Sequence, residues 1–435
     1  MGRYRWTIVM LLFFATTINY MDRQVIGLLK DTLAGYLHWT EKDYSNIVMA
    51  FTASYAIGLF FFGKFIDVIG TRLGYVLSII VWSLSAMAHA LVRTTLGFGI
   101  ARSALGLGES GNFPAAIKGV AEWFPKKERA LATGIFNSGS NVAAILCPPL
   151  VAYLITSSLG WRSAFLITGG VGFIWLIFWL IFYNTPGKMR GKRLGEAEYE
   201  YINQDADEPE NPKPIGWGRI LSVKQTWAFV VGKFLTDPVW WFYLFWVPTY
   251  FYKTFHLDIS KSWVCVSVIY TVASFGSILG GYLSGWLIRK GYPEYRARKT
   301  AMFIFALCVC PVFLIRFTSD VWVAVGLISV AAAAHQAWSA NIFTTASDMF
   351  PKNCVSSVVG IGGMAGSLGG VLFPWVIGMV LVHFDALGHI GIGYNILFAI
   401  CSVAYLIAWV SMHLLCPRMV RINVTPTPRS KMPAS

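Results

Sequence analysis

Twelve long apolar runs decide what this chain can fold into. A helix of about 20 apolar residues crosses the hydrocarbon core of a bilayer, and the backbone of such a segment cannot leave its polar groups unpaired there. Only 13% of the 435 residues are charged, about half of what a soluble protein carries. The sequence therefore predicts an all-α membrane protein with twelve transmembrane helices. The runs cover residues 6–29, 45–66, 73–92, 94–118, 130–156, 163–184, 226–251, 262–288, 300–317, 320–347, 355–382 and 390–415.

The positive charges are distributed unevenly between the two sides of the predicted membrane. Of the 35 Lys and Arg residues, 25 fall on the side of the two termini and 7 on the opposite side. Such an excess is typical of cytoplasmic loops, so both termini are expected in the cytoplasm. The net charge of +14 is thereby explained by topology, and no nucleic-acid partner is expected. The first run ends in no small-residue cleavage site, which predicts a retained first span.

The two halves of the chain resemble each other. A shift of 226 positions places the segment 123–148 on 349–374, so that Phe124 matches Phe350 and Gly134 matches Gly360. Six spans followed by a parallel copy of six is the architecture of a transporter with its substrate held between the halves. The predicted divisions are an N-terminal half 1–185, a cytoplasmic linker 186–225, a C-terminal half 226–418 and a cytoplasmic tail 419–435.

Charged residues inside the predicted spans are the first candidates for function, because each costs on the order of 3 kcal/mol at the bilayer centre. Arg102 and Glu109 lie two turns apart on one helix face, whereas Asp22 and Arg23 point about 100° apart. Two pairings between helices remain open, Asp22 with Arg102 and Glu109 with Arg23. The full set is Asp22, Arg23, Arg102, Glu109, Lys233 and Asp237.

These charges can couple two solutes. If Asp22 or Glu109 takes up a proton, its arginine partner loses its counter-charge, and an anionic substrate can replace it in a bidentate contact. This predicts proton–anion symport, with Asp22 and Glu109 as proton-coupling residues and Arg23 and Arg102 as substrate-binding residues. A static charge network that only holds the helices together is the alternative.

The C-terminal half offers polar partners for such a substrate. His335 falls on Glu109 under the shift of 226, and Gln336 and Asn341 follow it with amides that suit sugar hydroxyls. A neutral histidine that is hydrogen-bonded in the core is the alternative for His335.

Aromatic residues supply a second kind of candidate. Trp240 and Trp241 follow Asp237 and Pro238, where the proline is expected to break the helix locally. Their rings are predicted to stack on a sugar, with packing or an interfacial belt as the alternative. Tyr55 in the second span is a further substrate-binding candidate.

A loop between the second and third spans carries a motif. Gly63-Lys-Phe-Ile-Asp67-Val-Ile-Gly70-Thr-Arg72 resembles the GxxxDxxGxR loop of the major facilitator superfamily. Asp67 and Arg72 are therefore predicted to hold a gate on the cytoplasmic side. The equivalent loop after Gly281 has no acidic residue.

Other chemistry is absent from the sequence. No GKS or GKT follows the glycine-rich segments, no serine-protease, zinc or haem pattern occurs, and the 7 cysteines include no CxxC. The chain is not expected to be an enzyme or to hold a cofactor or a metal.

Longer motifs narrow the family. Asn19-Tyr-Met-Asp22-Arg23 and the run from Arg102 to Pro114 resemble the anion:cation symporter family within the major facilitator superfamily. In the C-terminal half, the runs 233–243 and 335–341 resemble the bacterial hexuronate transporters.

That resemblance implies proton-driven uptake of a hexuronate such as galacturonate or glucuronate. It assigns the proton to Asp22 and Glu109, the substrate carboxylate to Arg23, and a substrate contact to Tyr55. A related aldonate carrier has amides where this chain has Ser140 and Ser367, a departure that fits a ring-form uronate.

Two alternatives remain. One is a transporter of the same fold for an aldonate, a glucarate-like diacid or an aromatic carboxylate, and the other is a membrane sensor that transports nothing. Only about 17 residues follow Arg418, which argues against an added signalling domain. We expect a monomer in the inner membrane, with a small organic anion and a proton as its partners.

Overall fold

The computed structural model describes residues 2–205, 215–255 and 259–422. The middle of the predicted linker, 206–214, and most of the predicted tail, 423–435, lie outside the described residues. The first eight helices are α1 Tyr4–Leu28, α2 Lys30–Leu37, α3 Glu41–Ile69, α4 Thr71–Ala88, α5 Thr95–Glu109, α6 Asn112–Trp123, α7 Lys126–Thr156 and α8 Gly160–Phe182. Three short helices follow, α9 Pro186–Met189, α10 Glu196–Asn203 and α11 Trp217–Leu221. The remaining α-helices are α12 Lys224–Phe255, α13 Ile259–Arg289, α14 Glu294–Val309, α15 Val321–Met349, α16 Val355–Ala386 and α17 Ile390–Leu415, and a 3-10 helix, Cys310–Phe317, continues α14.

The predicted all-α fold is confirmed, and each of the twelve apolar runs falls on a helix or on two consecutive helical segments. Among the described residues, nine helices are long and apolar enough to cross a membrane by length and composition. The three predicted spans outside that set fall on α1, on α5 with α6, and on α12. These spans carry the six predicted intramembrane charges, which lower the hydropathy of α1 and α12, whereas α5 with 15 residues and α6 with 12 residues are each too short alone.

Two prolines inside the predicted spans have different effects on helix continuity. α5 ends at Glu109 and α6 begins at Asn112, where Pro114 in the first turn lacks the N–H that a continuous helix needs. The break predicted at Pro238 is wrong, because α12 runs without interruption from Lys224 to Phe255. Gly369 of α16 packs closely against this turn, since a Cβ atom on it would lie 2.6 Å from the carbonyl oxygen of Phe234, the group that loses its partner at Pro238.

The two six-span halves, α1–α8 and α12–α17, meet closely at one end of the bundle. We call this the terminal end, because α1 begins there at Tyr4 and α17 ends there at Leu415. A Cβ atom on Gly360 of α16 would lie 2.1 Å from the carbonyl oxygen of Leu59 on α3. A Cβ atom on Gly134 of α7 would lie 2.2 Å from the carbonyl oxygen of Ser277 on α13. The shift of 226 relates these two glycines, so the repeat places one close crossing on each side.

The linker is anchored to the N-terminal half. Glu198 of α10 accepts hydrogen bonds from the backbone N–H groups of Tyr4 and Arg5, and it pairs with the Arg5 guanidinium at 3.0 Å. The same guanidinium pairs with Glu128 of α7 at 2.8 Å. The Glu198 side chain is only 1% exposed, so these contacts hold α10 firmly against α1 and α7.

Candidate functional site

A cavity of about 420 Å³ lies between the halves. Helices α1, α3, α5, α6 and α7 line it from one half, and α12, α13, α15 and α16 line it from the other. Its wall includes Gly27 and Leu28, at the end of α1 that lies away from the terminal end, and Tyr44 near the start of α3. The cavity therefore sits between the halves and extends toward the opposite end of the bundle.

Arg23 is the charged centre of the wall formed by the N-terminal half. Its Nε donates to Oε2 of Glu109 at 3.0 Å, and its Nη2 lies 2.9 Å from the same oxygen. The guanidinium carbon also lies 4.5 Å from the ring centroid of Tyr55 and 4.7 Å from that of Tyr20. Glu109 is fully buried while Arg23 lines the cavity. Of the two pairings left open by the sequence, the structure contains Glu109 with Arg23.

Arg102 and Asp22 are partnered differently. Arg102 stacks on the ring of Phe51 at 4.5 Å and donates to the backbone carbonyl oxygen of Arg23 at 2.6 Å. Its Nε, and both carboxylate oxygens of Asp22, have no hydrogen-bond partner among the described residues. Thr168 lies beside Asp22, but its hydroxyl donates to the carbonyl oxygen of Ala164. A buried polar atom without a partner is costly, so this corner is poised to accept a proton or an anion.

The C-terminal half presents aromatic rings. Trp240 stacks on His335, with ring centroids 4.9 Å apart and planes 8° from parallel. Nδ1 of His335 forms a short hydrogen bond with the hydroxyl of Tyr405, which fixes the imidazole plane. Trp241 lies near Gly370 of α16. Both tryptophans line the cavity, so flat apolar faces are available to a sugar ring.

An amide bridge joins the halves across the cavity. Asn137 of α7 donates to Oε1 of Gln336 at 2.7 Å, and Nε2 of Gln336 donates to Oδ1 of Asn141 at 3.0 Å. Asn137 and Gln336 line the cavity, as do Ser140 and Ser367. Their amide and hydroxyl groups can exchange these bonds for bonds to a polyhydroxylated solute.

The predicted site residues thus separate into groups. Asp22 and Glu109 lie behind the wall, next to the arginines, and are not among the lining residues. Asn341 is also outside the lining, because its amide donates to the carbonyl oxygens of Gly280 and Ala337, each at 2.9 Å. The predicted residues that line the cavity are Arg23, Tyr55, Arg102, Trp240, Trp241, His335 and Gln336.

The two predicted gate residues, Asp67 and Arg72, make different kinds of contact. Asp67 accepts from the backbone N–H of Ser357 at 2.7 Å and from its hydroxyl at 2.6 Å, and it pairs with Lys118 at 3.0 Å. It therefore links α3 to α16 at the terminal end. Arg72 donates instead to the carbonyl oxygen of Leu180 on α8, within its own half.

Sequence reasoning missed Asn137 and Lys118 as functional candidates. Asn137 lies in the glycine-rich segment of span five, whose glycines suggest close helix packing or close approach of a substrate, and its amide in an apolar span was a signal in its own right. Lys118 is the last residue of its apolar run, where a lysine is typical of the adjoining cytoplasmic loop, and only the structure shows that its Nζ is buried against Asp67. Within the described residues, no group of three or more His, Cys, Asp or Glu side chains could hold a metal ion.

Comparisons with known proteins agree with this architecture. The sequence pattern of the Major Facilitator Superfamily matches residues 12–374. The chain is 33% identical to the hexuronate transporter of Escherichia coli strain K12 over 403 residues, 92% of this chain and 91% of that protein. It is 34% identical to the galacturonate transporter of Dickeya chrysanthemi over 280 residues, 64% of this chain and 81% of that protein.

A solved structure shows the same fold. The proton:xylose symporter XylE, bound to 6-bromo-6-deoxy-D-glucose, superposes with a TM-score of 0.72 over 94% of this chain and 95% of that chain, at 14% identity. The identities of 33% and 34% to the hexuronate and galacturonate transporters confirm the resemblance that the motifs predicted.

Proposed function

Because the chain belongs to the major facilitator superfamily, we propose that it is a proton-coupled symporter that imports a sugar-acid anion. The substrate we favour is a hexuronate, galacturonate or glucuronate, because the relatives with 33% and 34% identity are named for hexuronate and galacturonate. Transport of such an anion is a membrane process that needs no cofactor, and no enzymatic step is part of the proposal.

The observation that carries the proposal is the Arg23–Glu109 ion pair at the cavity wall. While Glu109 is ionised, it neutralises Arg23, and a substrate carboxylate would have to displace it at a cost in electrostatic energy. Protonation of Glu109 removes that counter-charge and leaves Arg23 buried with an unbalanced charge. A carboxylate then replaces Glu109 as the partner of the guanidinium, with two parallel hydrogen bonds. Proton and anion are bound together because neither alone balances the site.

Asp22 and Arg102 form a second carboxylate and guanidinium that take part in the same exchange of proton and anion. The Asp22 carboxylate oxygens and the Arg102 Nε have no partner among the described residues, and Arg102 reaches the backbone of α1 at Arg23. We assign Asp22 as a second proton-linked carboxylate and Arg102 as a second positive charge for the substrate. Tyr55 holds the Arg23 guanidinium through its ring.

Residues of the C-terminal half contact the remainder of the substrate. Trp240, held flat against His335, supplies an apolar face for the sugar ring, beside Trp241. Gln336 supplies an amide that already exchanges hydrogen bonds with the other half. Asn341 makes no direct contact with the substrate in this proposal, because its amide donates hydrogen bonds to the backbone of α13 and α15.

The conformation fits one state of an alternating-access cycle. Asp67 bonds to Ser357 and Lys118 at the terminal end, while the cavity extends toward the other end. With the termini in the cytoplasm of the cell, as the charge distribution supports, this is an outward-facing state in the inner membrane. We propose that the units 1–185 and 226–418 rock about the cavity as a monomer. Arg72 holds its own half together during that motion.

Uptake by the purified protein in liposomes tests the proposal. A proton gradient directed inward should drive accumulation of radiolabelled galacturonate, and an ionophore that collapses the gradient should abolish it. Unlabelled glucuronate, galactonate, galactarate and benzoate are then tested as inhibitors of galacturonate uptake, which ranks these anions by their affinity for the transporter. Stronger inhibition by an acid other than the two uronates would transfer the assignment to that anion, and binding without any flux would favour a sensor.

A further inference from the structure

A second ion pair lines the cavity, and the coupling mechanism does not use it. Nζ of Lys233 lies 2.8 Å from Oδ1 of Asp237, one turn away on α12, and the two side chains are 5% and 19% exposed. Both residues belong to the cavity wall. The pair therefore faces the bound solute from the half opposite to Arg23.

Packing from two other helices holds this pair in place. Nζ of Lys233 lies 4.0 Å from the ring centroid of Phe343 on α15, a cation–π contact. A Cβ atom on Gly366 of α16 would lie 2.0 Å from Oδ2 of Asp237, so a side chain at this position would have to displace the carboxylate. Asp237 is thus confined between Lys233 and the backbone of α16.

A row of aromatic rings connects the two charged ends of the cavity. Phe343 stacks on Phe113 with centroids 5.1 Å apart, and Phe113 meets the edge of Tyr20 at 6.4 Å. The Arg23 guanidinium carbon lies 4.7 Å from the Tyr20 ring centroid. A sugar acid whose carboxylate binds Arg23 can therefore extend along this row toward Lys233.

The two ends of that path differ in how their cations are balanced. Arg23 is paired with a carboxylate that lies on another helix and that yields by taking a proton in the proposed mechanism. Lys233 is paired with a carboxylate on its own helix. A hydroxyl group can donate to Asp237 and accept from Lys233 at the same time, whereas a carboxylate is repelled by Asp237 as strongly as Lys233 attracts it.

We propose that Asp237 is a specificity-determining residue that restricts this transporter to sugar acids with one carboxylate. The inference rests on the proposed function and names the feature of the substrate that is rejected, a carboxylate at the end distal to Arg23. Neutralising Asp237 leaves the Lys233 ammonium free for that second carboxylate, so the same cavity then accepts a diacid.

Galacturonate and galactarate test this directly, because galactarate has the same configuration at its four inner carbon atoms and carries a second carboxylate in place of the aldehyde carbon. Four proteins are compared: the unchanged chain, Asp237→Asn, Lys233→Gln and the double variant. For each, the ratio of galactarate to galacturonate affinity is measured by counterflow competition in liposomes. Ligand-induced thermal stabilisation of the purified protein gives the same ratio without any need for transport or coupling.

The expected order follows from the charge at the distal end. Relative affinity for galactarate should rise about tenfold or more in Asp237→Asn, the range of one charge-assisted hydrogen bond. The double variant should return close to the unchanged chain, and Lys233→Gln should fall below it. If Asp237→Asn does not fold, the comparison of Lys233→Gln with the double variant still isolates the effect of removing Asp237.

A ratio that stays constant within twofold across the folded variants would overturn this inference while galacturonate binding stands. If neither acid stabilises or exchanges with any of the four proteins, the proposed function is overturned together with it.

Discussion

Nη2 of Arg23 and Oε2 of Glu109 lie 2.9 Å apart, on helices α1 and α5, with the carboxylate fully buried and the guanidinium at the cavity wall. This relationship places a group that can bind a proton directly behind a group that can bind an anion. Tyr20 and Tyr55 hold the guanidinium from its faces, so the charge stays in position when its partner changes. The account of coupling rests on this exchange of partners.

Replacing Arg23 by lysine should weaken substrate binding while keeping the positive charge. An ammonium group cannot make two parallel hydrogen bonds to a carboxylate or stack between rings as a guanidinium does. We expect a loss of about tenfold or more in galacturonate affinity, measured by counterflow. Arg190→Lys is the matched control, because Arg190 pairs with Glu196 on the exposed linker. Equal affinity in both variants would show that Arg23 does not bind the carboxylate.

A methyl group at Gly360 should prevent closure of the terminal end. Its Cβ atom would lie 2.1 Å from the carbonyl oxygen of Leu59, and two helix backbones cannot both keep their positions at that distance. Gly360→Ala should therefore reduce uptake to a few per cent, with the protein still folded. Gly378→Ala on the same helix meets no atom within 4 Å and should transport normally. Normal uptake by Gly360→Ala would mean that the crossing is not part of the cycle.

Neutralising Asp67 should open the terminal end. Asp67→Asn removes the charge that accepts from Lys118 and from two donors of Ser357. Nearby Cys354 is 0% exposed, so its alkylation by a water-soluble maleimide, followed by mass spectrometry, reports the opening. We expect the alkylation rate of Cys354 in Asp67→Asn to be several times higher than in the unchanged chain. The increase in Ser357→Ala should be smaller. An unchanged rate in Asp67→Asn would remove Asp67 from the gate.

The linker contact predicts a difference in stability between two neighbouring glutamates. Glu198→Ala removes a buried carboxylate that bonds to Tyr4 and Arg5, which should cost about 3 kcal/mol and lower the Tm. Glu196→Ala breaks an exposed pair with Arg190, which should cost at most about 1 kcal/mol. Thermal unfolding in detergent compares the two. Equal Tm values would show that α10 does not brace the N-terminal half.

Long apolar runs were sufficient to predict the membrane-spanning helices, because a segment that crosses the bilayer must pair its backbone polar groups internally. The same reasoning singled out Arg23 and Glu109, since charge in an apolar run is costly whatever the tertiary structure. It failed at Pro238, because whether a proline breaks a helix depends on what packs against the freed carbonyl group.

The sequence could not determine which of the buried charged residues pair with each other. Both Asp22 with Arg102 and Glu109 with Arg23 satisfy charge balance, and only the relative rotation of α1 and α5 decides between them. For Asp67, the motif suggested Arg72, while Ser357, 290 positions away, supplies the contacts. Residues so distant in sequence are brought together by the packing of the two halves, which no local pattern encodes.

Proton-driven accumulation of galacturonate by Glu109→Gln in liposomes tests the central claim most directly. Glutamine keeps the size and a hydrogen-bond acceptor for Arg23 but cannot gain or lose a proton. The account predicts that this variant exchanges galacturonate by counterflow at a rate comparable to the unchanged chain and does not accumulate it against a gradient. Accumulation at the unchanged level, dependent on the proton gradient, would contradict the assignment of coupling to the Arg23–Glu109 pair.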